Sequence, residues 1–241
     1  MRRWTVIGAA SVLSVVLLAI GCGGHACEDP PPHVRAVIQD LTAKLGNSDE
    51  AYDAGLDLGE IGLTCLLPPA TLKALRTASE DRTLSYADID TLYVGGGRVW
   101  NEAGDGARIA FLRWQLRDME SDAARLQLLW TTSRAPHRTD AVSRFCIEEL
   151  IRFGKPEVIP YLFCAAVLGG SWYESRMAAL HLGDFWPTTK PLLVLLVNSD
   201  RQDVAQIARQ VLQRQGKPLP PDGAAIGPRG DLIHGIPTWP E

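Results

Sequence analysis

The stretch from residue 198 to residue 216, NSDRQDVAQIARQVLQRQG, carries its apolar side chains on one face of a helix. These side chains recur every three to four residues, at Val204, Ile207, Ala208, Val211 and Leu212. Polar and charged side chains fill the positions between them, so the spacing predicts an amphipathic helix. Such a helix must bury its apolar face against another part of the chain.

Related segments indicate that this helix belongs to a repeat. The opening Asn-Ser-Asp also occurs at residue 47, and the stretch AYDAGLDLGEIG (51–62) aligns with RMAALHLGDFW (176–186) at an offset of 124 residues. Helices in the second half are predicted to end at three glycines, Gly154, Gly183 and Gly216. The steps between these glycines, 29 and 33 residues, are typical of a helical hairpin repeated along a chain.

Each of the last two repeats has a predicted partner helix in front of it. One covers PEVIPYLFCAAVL (156–168) and the other TTKPLLVLLVNS (188–199), with Thr189 as its N-cap and Pro191 in its first turn. A helix pair of this length cannot bury its own apolar face. The pairs must therefore stack on one another.

The first half begins with another predicted hairpin. Helical periodicity starts at Val34 and ends at Gly46, and a second helix follows at once. Asn47 or Ser48 is predicted to cap that second helix, with Glu50 closing a capping box. The segment from Leu84 to Arg108 contains YVGGGRVWNEAGDG, which predicts an irregular insertion with helices resuming at about Gly106.

These segments resemble the HEAT-like family of helical repeats, especially the short form of phycobilisome-lyase-type proteins, over 34–62 and 140–216. The predicted fold class is all-α, an α-solenoid of HEAT-like helical hairpins over residues 33–217 with an irregular central insertion. A Pro- and Gly-rich tail, 218–241, follows. The resemblance implies a concave or edge surface that binds a partner, and it implies no catalytic residue.

The start of the chain reads as an export signal. Arg2 and Arg3 precede an uncharged apolar run, and Leu18 to Gly23 resembles the lipobox of bacterial lipoproteins. The resemblance implies a signal peptide over 1–21, acylation of Cys22 with fatty acids such as palmitate, and outer-membrane sorting through Gly23 if the cell has two membranes. Residues 22–32 are predicted to be a flexible tether.

Two other interpretations of the N-terminus remain open. One is an ordinary signal cleaved after Ala19-Ile20-Gly21, and the other is an uncleaved membrane anchor. All three place most of the chain outside the cytoplasm, in the cell envelope. Without the signal peptide, the chain keeps 22 of its 24 basic residues and all 28 acidic ones, which gives a net charge of −6. This balance, with no run of basic residues, argues against nucleic acid as a partner.

Four cysteines besides Cys22 are predicted either to pair or to fill the core. Cys146 and Cys164 each lie nine residues from Lys155, which would place them at equal height in an antiparallel hairpin. Cys27 and Cys65 would then be left to each other. The alternative is that Cys65, Cys146 and Cys164 are small core residues.

No motif predicts catalysis, a cofactor or a metal. Gly95-Gly96-Gly97 lacks the context of a phosphate-binding loop, and no GxSxG motif is present. The cluster of His25, Cys27, Glu28 and Asp29 lacks the spacing of a zinc site. His181, within a helix rich in small residues, is predicted to be buried and bonded to a carbonyl.

Aromatic side chains give the candidate binding residues. Trp172, Tyr173, Phe185 and Trp186 lie near predicted loops or helix ends. Trp172, Tyr173 and Trp186 are predicted to share one edge, and the alternative role of the aromatic residues is to fill gaps between irregular repeats. The predicted function is a lipid-anchored scaffold for another envelope protein. The alternatives are an envelope enzyme or small-ligand-binding protein that uses the loop from Tyr93 to Gly106, and a spacer with no partner.

Overall fold

The computed structural model describes residues 30–85, 101–135 and 138–215 of the chain. The chain divides into two compact units, Met1–Asp118 and Met119–Glu241. The described residues are all-helical, as predicted, apart from one antiparallel ladder of two residues per strand. None of the helices in these ranges is long and apolar enough to cross a membrane.

Residues 30–85 and 101–118 of the first unit form four helices and the ladder. Their bounds are α1 Pro32–Lys44, α2 Ala51–Thr64, α3 Pro69–Glu80, β1 Leu84–Ser85, β2 Asn101–Glu102 and α4 Asp105–Asp118. The ladder pairs Leu84 with Glu102 and Ser85 with Asn101, at the base of the predicted insertion. The resumption of helices near Gly106 is confirmed, since α4 begins at Asp105.

Helix α1 follows its sequence pattern. Proline occupies its first turn, where a missing N–H costs nothing, and Val34, Ile38 and Leu41 are buried. The predicted cap of α2 is wrong, however, because no side chain caps this helix. Asn47 instead closes the preceding turn, accepting the Asp49 N–H (3.1 Å) and donating to Glu50 Oε2 (2.6 Å).

Helix α2 packs most closely on α4, through small residues on both. A Cβ atom added to Gly55 would lie 2.5 Å from the Ala107 nitrogen, and one added to Gly59 would lie 2.8 Å from Ala110 Cβ. A Cβ atom on Gly106 would lie 1.9 Å from the Tyr52 carbonyl oxygen. The two backbones therefore touch directly, and any larger side chain in this contact would force them apart.

The described part of the second unit forms three successive helical hairpins, α5–α6, α7–α8 and α9–α10. Their bounds are α5 Asp122–Ser133, α6 Asp140–Phe153, α7 Ile159–Leu168, α8 Trp172–His181, α9 Lys190–Val197 and α10 Gln202–Arg214. Short 3₁₀ turns, Pro156–Val158 and Leu182–Phe185, precede α7 and follow α8. The second helix of each hairpin contacts the second helix of the next, so α8 packs against both α6 and α10.

Only one of the three predicted glycine helix ends is confirmed. Gly154 has a positive φ of 67° and ends α6 in the left-handed conformation. Gly183 lies instead within the 3₁₀ turn after α8, where a Cβ atom would lie 2.6 Å from Val211 Cγ1. Gly216 lies outside the described residues.

Thr189 immediately precedes α9, as predicted, but its side chain does not cap this helix. The buried Thr189 hydroxyl donates to the Leu182 carbonyl (2.6 Å), which fastens the connection between the second and third hairpins. A buried hydroxyl bonded in this way satisfies its own polar group and one carbonyl at the end of α8.

Candidate functional site

The candidate aromatic residues lie at two different places in the second unit. Trp172 and Tyr173 begin α8, whereas Phe185 and Trp186 follow this helix, at the far end of its 3₁₀ turn. Ten helical residues separate the two ends of α8 by about 15 Å. The two pairs are therefore not adjacent, and the edge shared by Trp172, Tyr173 and Trp186 stays a prediction.

The turn between α7 and α8 holds Trp172 in an exposed position. The Ser171 hydroxyl accepts the Glu174 N–H (3.2 Å) and caps α8, and Glu174 Oε2 accepts the Gly170 N–H (2.7 Å). Arg201 donates to the Gly169 carbonyl (3.0 Å) from the α9–α10 connection. The backbone beside Trp172 is thus fixed on both sides by side-chain hydrogen bonds.

Trp172 and Leu168 are the two large apolar side chains exposed on the described part of the second unit. The side chain of Trp172 is 39% exposed and that of Leu168 is 47% exposed, on either side of the same turn. Phe185 and Trp186 are half-buried, which fits the gap-filling role better than a contact with a partner. Within the described part of the second unit, the exposed apolar surface therefore centres on the start of α8.

Tyr173 is held from the neighbouring helix α6. Its hydroxyl donates to Glu148 Oε1 (2.8 Å), and the guanidinium carbon of Arg144 lies 4.4 Å from the centroid of its ring. Trp172 packs edge to face on the same ring, with 6.1 Å between the centroids. Burial, and then the hydrogen bond that its hydroxyl donates to Glu148, raises the pKa of Tyr173 to about 12, so Tyr173 stays a neutral hydrogen-bond donor.

Two more arginines stack on tryptophan rings beside these residues. Arg176 lies 5.3 Å from the centroid of Trp172, and Arg134 lies 5.7 Å from that of Trp130. Arg134 also donates to the Leu168 carbonyl (2.6 Å), which joins the end of α5 to the exposed turn. The arginine–aromatic surface is defined here as Trp130, Arg134, Arg144, Leu168, Trp172, Tyr173 and Arg176.

The sequence analysis missed the three arginines of this surface. Two of them carried a signal, because WTTSR (130–134) and WYESR (172–176) both place an arginine four residues after a tryptophan. On a helix this spacing brings the guanidinium over the ring. The third, Arg144, reaches Tyr173 from a different helix, and no local pattern points to it.

The predicted disulfide between Cys146 and Cys164 is absent from the structure. Both residues are buried free thiols, on α6 and α7. Their equal distance from Lys155 in the sequence predicts only that the two cysteines lie at the same height along the two helices. A bridge also requires Cα atoms about 5.5 Å apart, closer than the axes of packed helices usually lie. The core alternative is therefore correct for these two residues.

These thiols are expected to be unreactive in the native protein. Burial raises the pKa of both Cys146 and Cys164 to about 12, so only about one molecule in ten thousand carries either thiolate at pH 8. We expect iodoacetamide to leave both residues unmodified until denaturant is added, as measured by peptide mass mapping. A non-reducing map in which the two peptides are linked would contradict the structure.

Several predicted features lie outside the described residues. They include Cys22, the tether with His25, Cys27, Glu28 and Asp29, residues 93–100 of the central loop, and the tail from residue 218. Cys65 is buried as a free thiol, but its predicted partner, Cys27, is among these residues, so that pairing stays a prediction. Within the ranges that the structure describes, no cluster of His, Cys, Asp and Glu side chains is arranged to hold a metal ion.

His181 differs from its prediction. It is half-exposed rather than buried, and its Nδ1 lies 2.7 Å from Asp184 Oδ2, on the next turn. A histidine–carboxylate pair of this kind can orient a base, but catalysis also requires a nucleophile in reach of the ring.

No protein-family model, curated protein or solved structure matches this chain.

Proposed function

We propose that this chain is a lipid-anchored envelope protein that binds a partner protein through the arginine–aromatic surface. The second unit would be a short α-solenoid of HEAT-like hairpins, and its rigid packing would present that surface. The observation that carries the proposal is the exposure of Trp172 on a turn whose backbone is held by hydrogen bonds on both sides.

The order of contacts in the second unit supports the solenoid. Each hairpin touches the next one in the chain, and α6, α8 and α10 form a continuous row. A repeat in which every unit contacts its neighbours is the arrangement expected of stacked helical pairs. Trp130 of α5 also packs edge to face on Tyr161 of α7 (6.1 Å between centroids), which links the first helices of two hairpins.

The fixed position of Trp172 supports a role in binding. An exposed tryptophan offers a large apolar area, and tryptophan, tyrosine and arginine are the residues that dominate interface energies. Because the turn and the ring contacts already order these side chains, a partner would lose little additional conformational entropy on binding. A surface that serves only as a spacer has no need of such an arrangement.

The proposed lipid anchor comes from the lipobox-like sequence that ends at Cys22. Each buried methylene group contributes about 0.8 kcal/mol, so several acyl chains would hold the chain at a membrane. Confinement to a membrane surface raises the effective concentration of the scaffold near an envelope partner. A surface with modest intrinsic affinity would then suffice.

The alternative function, an enzyme or small-ligand-binding protein with its site in the central loop, stays a prediction. Most of the loop from Tyr93 to Gly106 lies outside the described residues. The described part, from Asn101, forms β2 and the first turn of α4, where Asp105 is fully buried and pairs with Arg108. These last residues fasten α4 to the rest of its unit.

The scaffold proposal is tested by replacing Trp172 with alanine in the full chain and measuring co-purification of envelope proteins. Loss of a central tryptophan typically costs at least about 2 kcal/mol, so we expect roughly 30-fold weaker retention of the partner. Leu66→Ala is the control, because Leu66 is an exposed apolar side chain (53%) of the first unit. Equal retention by both variants and the unaltered chain would contradict the proposal.

A further inference from the structure

The arginine–aromatic surface contains three cations that lack a carboxylate partner among the described residues. Arg134, Arg144 and Arg176 each stack on a ring, and none forms an ion pair with a described Asp or Glu. Most other arginines in the described part of the unit do so, as Arg138 does with Glu174 and Arg201 with Asp203. The surface therefore carries an excess of positive charge.

Glu148 borders this surface, whereas the buried Glu174 of the adjoining turn is paired with Arg138. Glu148 Oε1 accepts the Tyr173 hydroxyl (2.8 Å), and Tyr173 also lies under Arg144. One negative charge among three positive ones leaves the surface cationic. The chain as a whole is acidic, with a net charge of −4, so the positive charge is a local feature.

We infer that the partner segment bound by this surface is acidic, a stretch of Asp or Glu with apolar residues beside it. This inference rests on the proposed scaffold function and names the chemistry of the partner. A guanidinium positioned over a ring still offers N–H groups to carboxylate oxygens, which it binds with two parallel hydrogen bonds. Trp172 and Leu168 would cover the apolar residues of the same segment.

The positions of the arginines suit a segment that runs across neighbouring helices. Arg144 belongs to α6 and Arg176 to α8, and the two helices are in contact. Tyr173, between them, is anchored to α6 by its hydrogen bond to Glu148. Two carboxylates of one extended peptide would each meet a guanidinium that is already oriented, which lowers the entropic cost of binding.

An anionic membrane fits this surface less well. Attraction to a bilayer requires a cluster of at least about four basic residues within a Debye length, about 8 Å, of the membrane, and this surface has three guanidinium groups beside one carboxylate. Stacked arginines confer directional recognition of planar carboxylates, whereas membrane attraction needs only unoriented basic charge. A discrete acidic segment uses the directionality that the structure provides.

The inference is tested by selecting peptides from a random display library on the immobilised full-length chain. We expect the selected peptides to be enriched in Asp and Glu next to apolar residues. A double variant, Arg144→Gln with Arg176→Gln, is expected to bind them at least about tenfold more weakly, since one charged hydrogen bond contributes about 1.5 kcal/mol or more. Arg214→Gln, at an exposed position in the last turn of α10, is the matched control and should bind as the unaltered chain does.

Charge reversal provides a second measurement, which compares the composition of the selected peptides rather than their affinities. The Arg144→Glu, Arg176→Glu chain should select peptides rich in Lys and Arg, with thermal unfolding recorded for every variant to exclude misfolding.

Peptides that are apolar but not acidic, and that need Trp172, would overturn the inference and leave the scaffold proposal intact. Selected peptides whose binding is unaffected by Trp172→Ala would count against both. Sedimentation with phosphatidylglycerol vesicles that is lost on the double substitution would instead assign the surface to a membrane.

Discussion

Replacing Gly106 with alanine is expected to lower the free energy of unfolding of the first unit by about 3 kcal/mol, the upper part of the range for overpacking. The new Cβ atom would lie 1.9 Å from the Tyr52 carbonyl oxygen and 3.1 Å from the Leu56 nitrogen, both backbone atoms of α2. Neither atom can rotate away as a side chain would. Helices α2 and α4 would have to separate, and the close contacts at Gly55 and Gly59 would be lost with them.

The sign of this effect makes the test specific. Within a helix, glycine is less favourable than alanine by about 1 kcal/mol, so helix propensity alone predicts stabilisation. Gly46→Ala is the control, because a Cβ atom there would meet only the Ala43 carbonyl at 3.6 Å, an ordinary contact. Chemical denaturation followed by circular dichroism gives both values. If Gly106→Ala unfolds at the same or a higher denaturant concentration than the unaltered chain, the direct contact of the two backbones is wrong.

Replacing Arg108 with alanine is expected to destabilise the first unit by about 3 kcal/mol, the cost of removing one partner from a buried charged network. The guanidinium donates to Asp105 Oδ1 (2.6 Å), to Glu102 Oε2, and to two carbonyls at the end of α3. Those carbonyls belong to Ser79 (2.7 Å) and Asp81 (2.5 Å). One side chain thus joins α3, β2 and the start of α4.

The buried carboxylate explains why the expected cost is large. Asp105 is fully buried, and removal of the guanidinium takes away a cation that offsets its desolvation. Arg76→Ala is the control, since Arg76 is an exposed residue of α3 and surface substitutions typically change stability by less than about 0.5 kcal/mol. Hydrogen exchange of the amides of α3 and α4 would locate the effect. Protection that is equal in the two variants would contradict the role given to Arg108.

The helices themselves could be predicted from the sequence because their apolar spacing is regular. In α10 the predicted stripe is buried at Val204, Ala208, Val211 and Leu212. The pairing of α7 with α8 and of α9 with α10 was also predictable, since short connections favour antiparallel neighbours. What the pattern could not give was the partner of α2. Its closest neighbour, α4, begins more than forty residues further along, beyond α3 and the insertion.

Leu58-Gly59 aligns with Leu182-Gly183 at the offset of 124 residues, which indicated a repeat, and the structure gives the two glycines a shared packing role. Gly59 lies inside α2 and Gly183 in a 3₁₀ turn, yet each allows close approach of a neighbouring helix. Gly59 faces Ala110 and Gly183 faces Val211. A glycine needed for packing and one needed for a left-handed cap look the same in a sequence, because only the φ angle and the neighbours distinguish them.

The candidate site was predictable in part. Trp172 and Tyr173 were identified, but their separation from Phe185 and Trp186 depends on where α8 begins and ends. The contribution of Arg144 depends on how α6 packs against α8, which is a tertiary property. Side chains that meet across helices leave no regular spacing in the sequence.

The proposal that a partner binds at the start of α8 is tested most directly by photo-crosslinking in the native envelope. A photoreactive phenylalanine analogue would replace Trp172, Trp186 or Gln210 in the full chain, and the adducts would be separated by mass. Trp186 marks the opposite end of α8 and Gln210 an exposed position on α10. We predict one dominant protein adduct from position 172 and only background from the other two. Equal adducts from all three positions, or none from position 172, would contradict it.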